Sequence, residues 1–103
     1  MKSSLLAKLE NLSDRHQEVE ALLGDPEVIG NQAQFRELSR EFAHLNDVVT
    51  QFQHWTTLQA TVADARDMLG DSDSELRTLA QEEITDAEAA AELIESALQL
   101  LLL

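Results

Sequence analysis

The chain of 103 residues contains no cysteine, no tyrosine, a single proline and three glycines. The absence of cysteine excludes disulfide bonds, thiolate metal sites and cysteine nucleophiles. The scarcity of helix-breaking residues, beside abundant Leu, Ala, Glu and Gln, predicts an all-helical chain. The only aromatic residues are three Phe and one Trp. A core built from so few large side chains, in a domain this small, should be only marginally stable.

Basic residues are also scarce, since seven Lys and Arg stand against twenty Asp and Glu and give a net charge of −13. Residues 1–50 hold nine acids and five bases, and residues 51–103 hold eleven acids and two bases, so the halves carry −4 and −9. Such a surface repels phosphate, which predicts no direct contact with nucleic acid. It favours either a basic protein partner or a role in solubility alone. Charged residues interrupt MKSSLLAKLE before any long apolar run forms, so we expect neither a signal peptide nor a membrane partner.

Four helical segments are predicted, at about residues 4–23, 26–29, 32–69 and 74–102. In the first, apolar positions separated by three or four residues form a heptad seam that also includes His16. Ser3 or Ser4 is expected to cap its start, and Gly24 to end it in the left-handed conformation. In GDPEVIG, residues 24–30, Asp25 is the candidate N-cap and Pro26 fits the first helical position.

The later segments carry apolar stripes whose phase is less regular. At the bend formed by residues 24–30, Val28 and Ile29 are both expected to be buried in the core. The stripe of the long second segment slips by one residue at Trp55, which is either a core residue or part of an apolar patch facing another domain. Residues 71–74, DSDS, offer caps for the last segment. The predicted stripe of that segment is Leu76, Leu79, Glu83, Ala87, Ala90, Ile94, Ala97 or Leu98, and Leu101.

These segments predict an all-α fold with short connections between antiparallel neighbours. We expect one domain over residues 1–103. It would be an elongated antiparallel helical bundle, in which a long helical hairpin is covered at one end by the shorter first helix.

The sequence contains no convincing pattern for a catalytic site or a metal-binding site. Glu41 and His44 form one Glu-x-x-His step, whereas di-iron bundles need two such steps and further glutamates. His44 lies beside the apolar stripe and is expected at the surface, and His16 is expected to be a half-buried histidine with a hydrogen-bond partner. His54 is interpreted in the same way. The acid pairs Glu82/Glu83 and Glu92/Glu95 fit a solvated face. We therefore predict no catalytic residue, metal site or cofactor.

Several stretches resemble bacterial class-one peptide chain release factors. They are MKSSLLAKLENL, RHQEVEALLGDPEVI, FRELSREFAHL, the MLGD of residues 68–71 and the AQEEI of residues 80–84. The resemblance extends over the whole chain and is most specific in residues 1–29. Within the class, the sequence is most similar to release factor one, which decodes UAA and UAG.

The resemblance implies that the C-terminal SALQLLLL runs on into a second domain. The parent protein would read a stop codon in the cytoplasm and trigger hydrolysis of the peptidyl-tRNA ester. The family's Gly-Gly-Gln and Pro-x-Thr tripeptides are absent from residues 1–103, so no catalytic or codon-reading residue is carried over and the chain itself is not expected to be an enzyme.

The resemblance implies that this segment docks on the ribosome, near the stalk-base protein of the large subunit. It also implies an association with the action of the class-two release-factor GTPase. The expected docking surface combines the tip at residues 24–31 with the polar face of the long helix. Its named candidates are Asp25, Glu27, Asn31 and Trp55.

Two other functional hypotheses are compatible with the sequence. In the first, the chain is a self-contained coiled-coil adaptor that dimerises through its leucine-rich end. In the second, it is a metal enzyme of the di-iron type that uses His44. The exposed leucine end also predicts self-association of the isolated chain through Leu100, Leu101, Leu102 and Leu103.

Overall fold

The computed structural model describes the whole chain, Met1–Leu103, as four α-helices with no strand. The helices are α1 (Ser3–Leu23), α2 (Pro26–Ile29), α3 (Gln32–Met68) and α4 (Ser74–Leu101). Every end lies within one residue of its predicted position, because proline, glycine and aspartate punctuate an otherwise helix-forming sequence. The predicted all-α class is confirmed.

The chain divides into two compact units, residues 1–50 and residues 51–103. The continuous helix α3 contributes its first part to unit 1 and its second part to unit 2. The boundary coincides with the division between the mildly and the strongly acidic halves of the sequence. Each unit contains an apolar cluster of its own.

The core of unit 1 joins its three helical elements. Val19 of α1, Val28 of α2 and Leu38 of α3 are buried together, and Leu22, Leu23 and Phe42 pack against them. The short helix α2 therefore closes one end of the α1–α3 pair with a single buried side chain. Its neighbour Ile29 is 54% exposed, so the expectation that both residues enter the core is correct for Val28 and wrong for Ile29. Successive residues of a helix point about 100° apart, and in α2 it is Val28 that faces the core.

The core of unit 2 is a hairpin interface between the second part of α3 and the start of α4. Val62 and Ala65 pack with Ala80, Ile84 and Ala87, and half-buried Leu58 covers the cluster. Three of these six residues are alanines, whose small side chains let the two helix backbones approach closely. Further along α4, Ala91 and Leu98 are also buried.

The predicted stripe of α4 is wrong at two positions in its first three turns, Leu79 and Glu83. Leu79 is 57% exposed and Glu83 is exposed, whereas their neighbours Ala80 and Ile84 are buried. The face that was chosen from leucine spacing would have buried the Glu83 carboxylate without a partner, at a cost of several kcal/mol. The helix instead turns its alanines inward and leaves Leu79 in solvent.

Two of the expected helix caps are also wrong. Lys2 is the N-cap of α1 and makes no side-chain cap bond, so neither Ser3 nor Ser4 caps this helix. Gly24 has φ −92° and ψ −4°, and no residue of the chain has positive φ. Helix α1 ends instead in a tightened right-handed turn, in which the Gly24 and Asp25 amides donate to the carbonyls of Ala21 and Leu22.

The cap at the start of α4 was predicted correctly. The Asp73 carboxylate accepts a hydrogen bond from the Glu75 amide at 2.9 Å. Asp73 belongs to the DSDS sequence, and this bond satisfies one of the amides that a helix start leaves without a helical partner.

The register of α4 can be tested by a pair of substitutions. Ile84→Ala should lower the free energy of unfolding by about 2–4 kcal/mol, because it opens a cavity in the unit 2 core. Leu79→Ala should change it by less than about 1 kcal/mol, since this side chain is already in solvent. Urea unfolding followed by far-ultraviolet circular dichroism measures both values, and the reverse order would restore the leucine-based register.

Candidate docking surface

Three of the four candidate docking residues lie around α2, in unit 1. Asp25 is the N-cap of α2, and its Oδ1 accepts a hydrogen bond from the Glu27 amide at 2.9 Å. Pro26 occupies the first helical position, as predicted. The side chain of Glu27 is exposed and makes no ion pair, so its carboxylate is free to meet a partner. Asp25, in contrast, is half-buried and already holds the helix start.

Asn31, like Asp25, accepts a hydrogen bond from a backbone amide at a helix start, here that of α3. Its Oδ1 accepts a hydrogen bond from the Gln34 amide at 3.2 Å, and its carbonyl accepts one from the Phe35 amide at 2.9 Å. The Asn31 amide in turn donates to the Val28 carbonyl. The turn between α2 and α3 is thus held by the backbone and by one amide side chain. Asp25 and Asn31 shape this surface, and Glu27 is the candidate that projects from it.

Sequence reasoning missed the apolar part of the same surface. Ile29 and Phe35 are both exposed, and they line a shallow hollow together with Gln32, Arg36 and Ser39. We call Glu27, Ile29 and Phe35, with the two capping residues Asp25 and Asn31, the α2 corner. The available signal was the pair Val28 and Ile29, which point about 100° apart on a single turn of helix. The corner therefore has two exposed apolar side chains and, separately, an exposed carboxylate.

The fourth candidate, Trp55, belongs to unit 2 and is described separately. Its ring is half-buried and stacks on Phe52, with 6.0 Å between the ring centroids and 15° between the planes. Its Nε1 is buried and makes no hydrogen bond to the protein. Trp55 is thus not fully buried, and its place on a docking surface stays a prediction. A buried indole N–H without an acceptor is costly, and such groups usually find a partner.

The residues considered for metal binding have other roles. Both carboxylate oxygens of Glu41 accept hydrogen bonds from Arg15, at 2.6 Å from Nε and 2.7 Å from Nη2. Arg15 also reaches Glu18, one helical turn along α1, at 3.1 Å. This bidentate pair joins α1 to α3 within unit 1. The hydrogen bonds from Arg15 lower the pKa of Glu41 and keep it charged, so its oxygens are engaged in the fold.

His16 and His44 are arranged as expected, whereas His54, which was expected to be half-buried, is exposed. His16 is half-buried, stacks on Phe42 with 4.7 Å between ring centroids, and places Nε2 3.2 Å from Oδ1 of Asn46. His44 is exposed. No three His, Asp or Glu side chains converge in a group that could hold a metal ion.

Comparison with known protein families decides the class of this helical chain. The family model of the PCRF domain, the peptide chain release factor domain, matches residues 12–103.

The chain belongs to the PCRF domain family.

Membership gives this PCRF domain a release-factor role in translation termination, which implies interaction with the ribosome. The matched region begins within α1 and includes all of α2, α3 and α4. It therefore contains the α2 corner, Trp55 and the whole of the unit 2 core. None of the helices of the domain has both the length and the apolar character needed to cross a bilayer.

The Arg15–Glu41 pair makes a pH-dependent contribution that can be measured. Because the pKa of folded Glu41 lies below its unfolded value of about 4.3, the pair stabilises the fold above that pH and loses its effect as the pH falls through the folded pKa. Glu41→Gln should therefore destabilise the domain at neutral pH and approach the wild type at an acid pH below the folded pKa of Glu41.

The matched control is Glu37→Gln, which removes an exposed carboxylate of α3 that makes no ion pair. Urea unfolding at both pH values should show a converging difference for Glu41→Gln and little pH dependence in the difference for Glu37→Gln. A deficit of Glu41→Gln that stays constant across the pH range would show that the ion pair is not its source.

Proposed function

We propose that the chain is the N-terminal accessory domain of a class-one release factor of the release-factor-one type, which directs termination at UAA and UAG codons in the cytoplasm. The observation that carries this proposal is the family match over residues 12–103, beside a sequence that lacks Gly-Gly-Gln and Pro-x-Thr. The similarity of residues 1–29 to the release-factor-one type supports the narrower assignment. On this proposal, hydrolysis and codon reading belong to other domains of the parent protein.

The role we propose for the domain is docking on the ribosome through the α2 corner. The partner would be the stalk-base protein of the large subunit, and the class-two release-factor GTPase would depend on the same placement. The net charge of −13 supports a basic protein partner. The same charge opposes contact with ribosomal RNA, since carboxylates repel the phosphate backbone. Glu27 supplies the charged contact, and Ile29 and Phe35 supply apolar area around it.

A second candidate function follows from the other end of the chain. Leu100 is 70% exposed, and Leu101 and Leu103 are exposed as well. A coiled-coil adaptor that dimerises through these leucines would bury them against a second copy. This function requires a stable dimer in solution, and removal of residues 100–103 would abolish it.

Sequencing the encoding gene beyond codon 103 separates the two functions. We expect the reading frame to continue into segments that contain Pro-x-Thr and Gly-Gly-Gln. A stop codon directly after Leu103 would contradict the release-factor assignment of the parent protein and would favour the adaptor.

Docking through the α2 corner predicts an effect of charge reversal at Glu27. Glu27→Lys should weaken binding to isolated large ribosomal subunits by about three- to tenfold, and more strongly at low salt, because it places a positive charge against a basic partner. Anisotropy titration of the fluorescently labelled chain measures this change. Titration against the stalk-base protein alone identifies the partner.

The matched control for this titration is Glu10→Lys, which reverses an exposed and unpaired carboxylate of α1 in the same unit. It changes the net charge by the same amount and should leave binding nearly unchanged. Equal losses from the two variants would place the contact outside the α2 corner.

A further inference from the structure

Unit 2 carries a second surface that the α2 corner does not use. Leu58 of α3 and Leu79 and Ala87 of α4 line an open groove, and the carboxylates of Glu82, Glu83 and Asp86 border it. We call these six residues the acidic groove. Leu79 is 57% exposed, so the groove has an apolar floor that water reaches. An apolar surface rimmed by charged side chains is typical of a site that meets a partner.

The carboxylates of the acidic groove have no basic partner within unit 2. This unit contains only two bases, Arg66 and Arg77. Arg66 binds Glu88 through Nη2 and Oε1 at 3.0 Å. Arg77 donates from Nη1 to the carbonyl oxygens of Asp71 and Ser72, at 2.8 and 3.1 Å. Both guanidinium groups are therefore engaged elsewhere, and Glu82, Glu83 and Asp86 remain uncompensated.

The apolar contact continues along α4 beyond the groove. Leu93 is 74% exposed and Leu100 is 70% exposed. Both stand at seven-residue intervals from Leu79, and Asp86 occupies the intervening position. Positions seven apart drift by only about 20° around an α-helix, so the three leucines follow one line. With about 1.5 Å of rise per residue, the line is roughly 32 Å long, a length that suits a helical partner.

We propose that the acidic groove binds an amphipathic helical segment of a partner protein that is rich in Lys and Arg. Apolar residues of that helix would contact Leu58 and Leu79, and its basic residues would meet Glu82, Glu83 and Asp86. Recognition of an amphipathic helix by an apolar groove uses anchors spaced by three, four and seven residues, and the acidic border selects for basic flanks.

Charge disfavours the other occupants of this groove. Residues 78–103 contain six acids and no base, so a second copy of α4 would bring carboxylates against carboxylates. Nucleic acid is disfavoured for the same reason. The proposal goes beyond docking through the α2 corner, because it concerns different residues in the other unit and requires no ribosome.

The test is titration of the 103-residue chain with a synthetic helical peptide of about 20 residues, which presents leucines on one face and lysines on the other. A second peptide replaces its lysines by glutamates, and a third has the same composition in an order without amphipathic spacing. Anisotropy of the labelled peptides at about 0.1 M salt should show saturable one-to-one binding of the first peptide alone. Equal binding of the first and third peptides would overturn the proposal.

Variants then locate the binding site. The triple variant Glu82→Gln, Glu83→Gln, Asp86→Asn should weaken binding by about tenfold or more. The matched control is Asp64→Asn, Asp67→Asn, Glu92→Gln, which removes three exposed and unpaired carboxylates of the same unit outside the groove. It should weaken binding by less than about threefold, an effect of net charge alone. Leu79→Ser should weaken binding without changing the circular dichroism spectrum, since its side chain is in solvent.

Three further results would overturn the proposal. Equal weakening by the two triple variants would reduce the interaction to net charge. Unchanged binding by Leu79→Ser would remove the apolar contact from it. Sedimentation of the free chain as a dimer that Leu79→Ser dissociates would assign the groove to a second copy.

Discussion

Burial of narrow apolar stripes between helices is the constraint on which this domain depends. With no disulfide available, each helix must turn its stripe toward a neighbour. The stripes contain mainly valine, leucine and alanine, and no polar or charged residue of the chain is fully buried. Valine, leucine and alanine differ in volume and branching, so each buried position accepts only a side chain of about the right size. At the edge of unit 1, the bidentate Arg15–Glu41 pair adds a directional contact between α1 and α3.

Local signals predicted the ends of the helices, whereas the packed faces needed knowledge of the neighbours. Asp25, Pro26 and Asp73 act within a few residues of themselves, so their roles as caps and helix starts were readable. The inward face of α4 depends on the residues that α3 presents. From the sequence alone, Leu79 is a stronger candidate for burial than Ala80. Leucine spacing alone therefore chose the wrong residues. The desolvation cost of a carboxylate decides against that face, because it would have buried Glu83 without a partner.

In the candidate site, too, local features were predicted and contacts between distant residues were not. Asp25 and Asn31 were selected because polar residues surround a bend, and the structure shows that both side chains hold that bend. Glu41 attracted attention through its spacing to His44, but its partner is Arg15, which lies 26 residues earlier in the sequence. No local pattern reveals a pair so distant. Ile29 was missed because hydrophobicity was taken as burial, whereas the single turn of α2 directs only Val28 into the core.

The placement of Trp55 has an optical consequence. It is the only tryptophan of a chain that has no tyrosine, so nearly all ultraviolet fluorescence arises from one half-buried ring stacked on Phe52. Unit 1, whose aromatic residues are phenylalanines, is almost silent in the same emission. Tryptophan emission therefore follows unit 2, and circular dichroism follows both units. Coincident unfolding curves from the two signals would mark a single cooperative transition, and separated curves would give each unit its own stability.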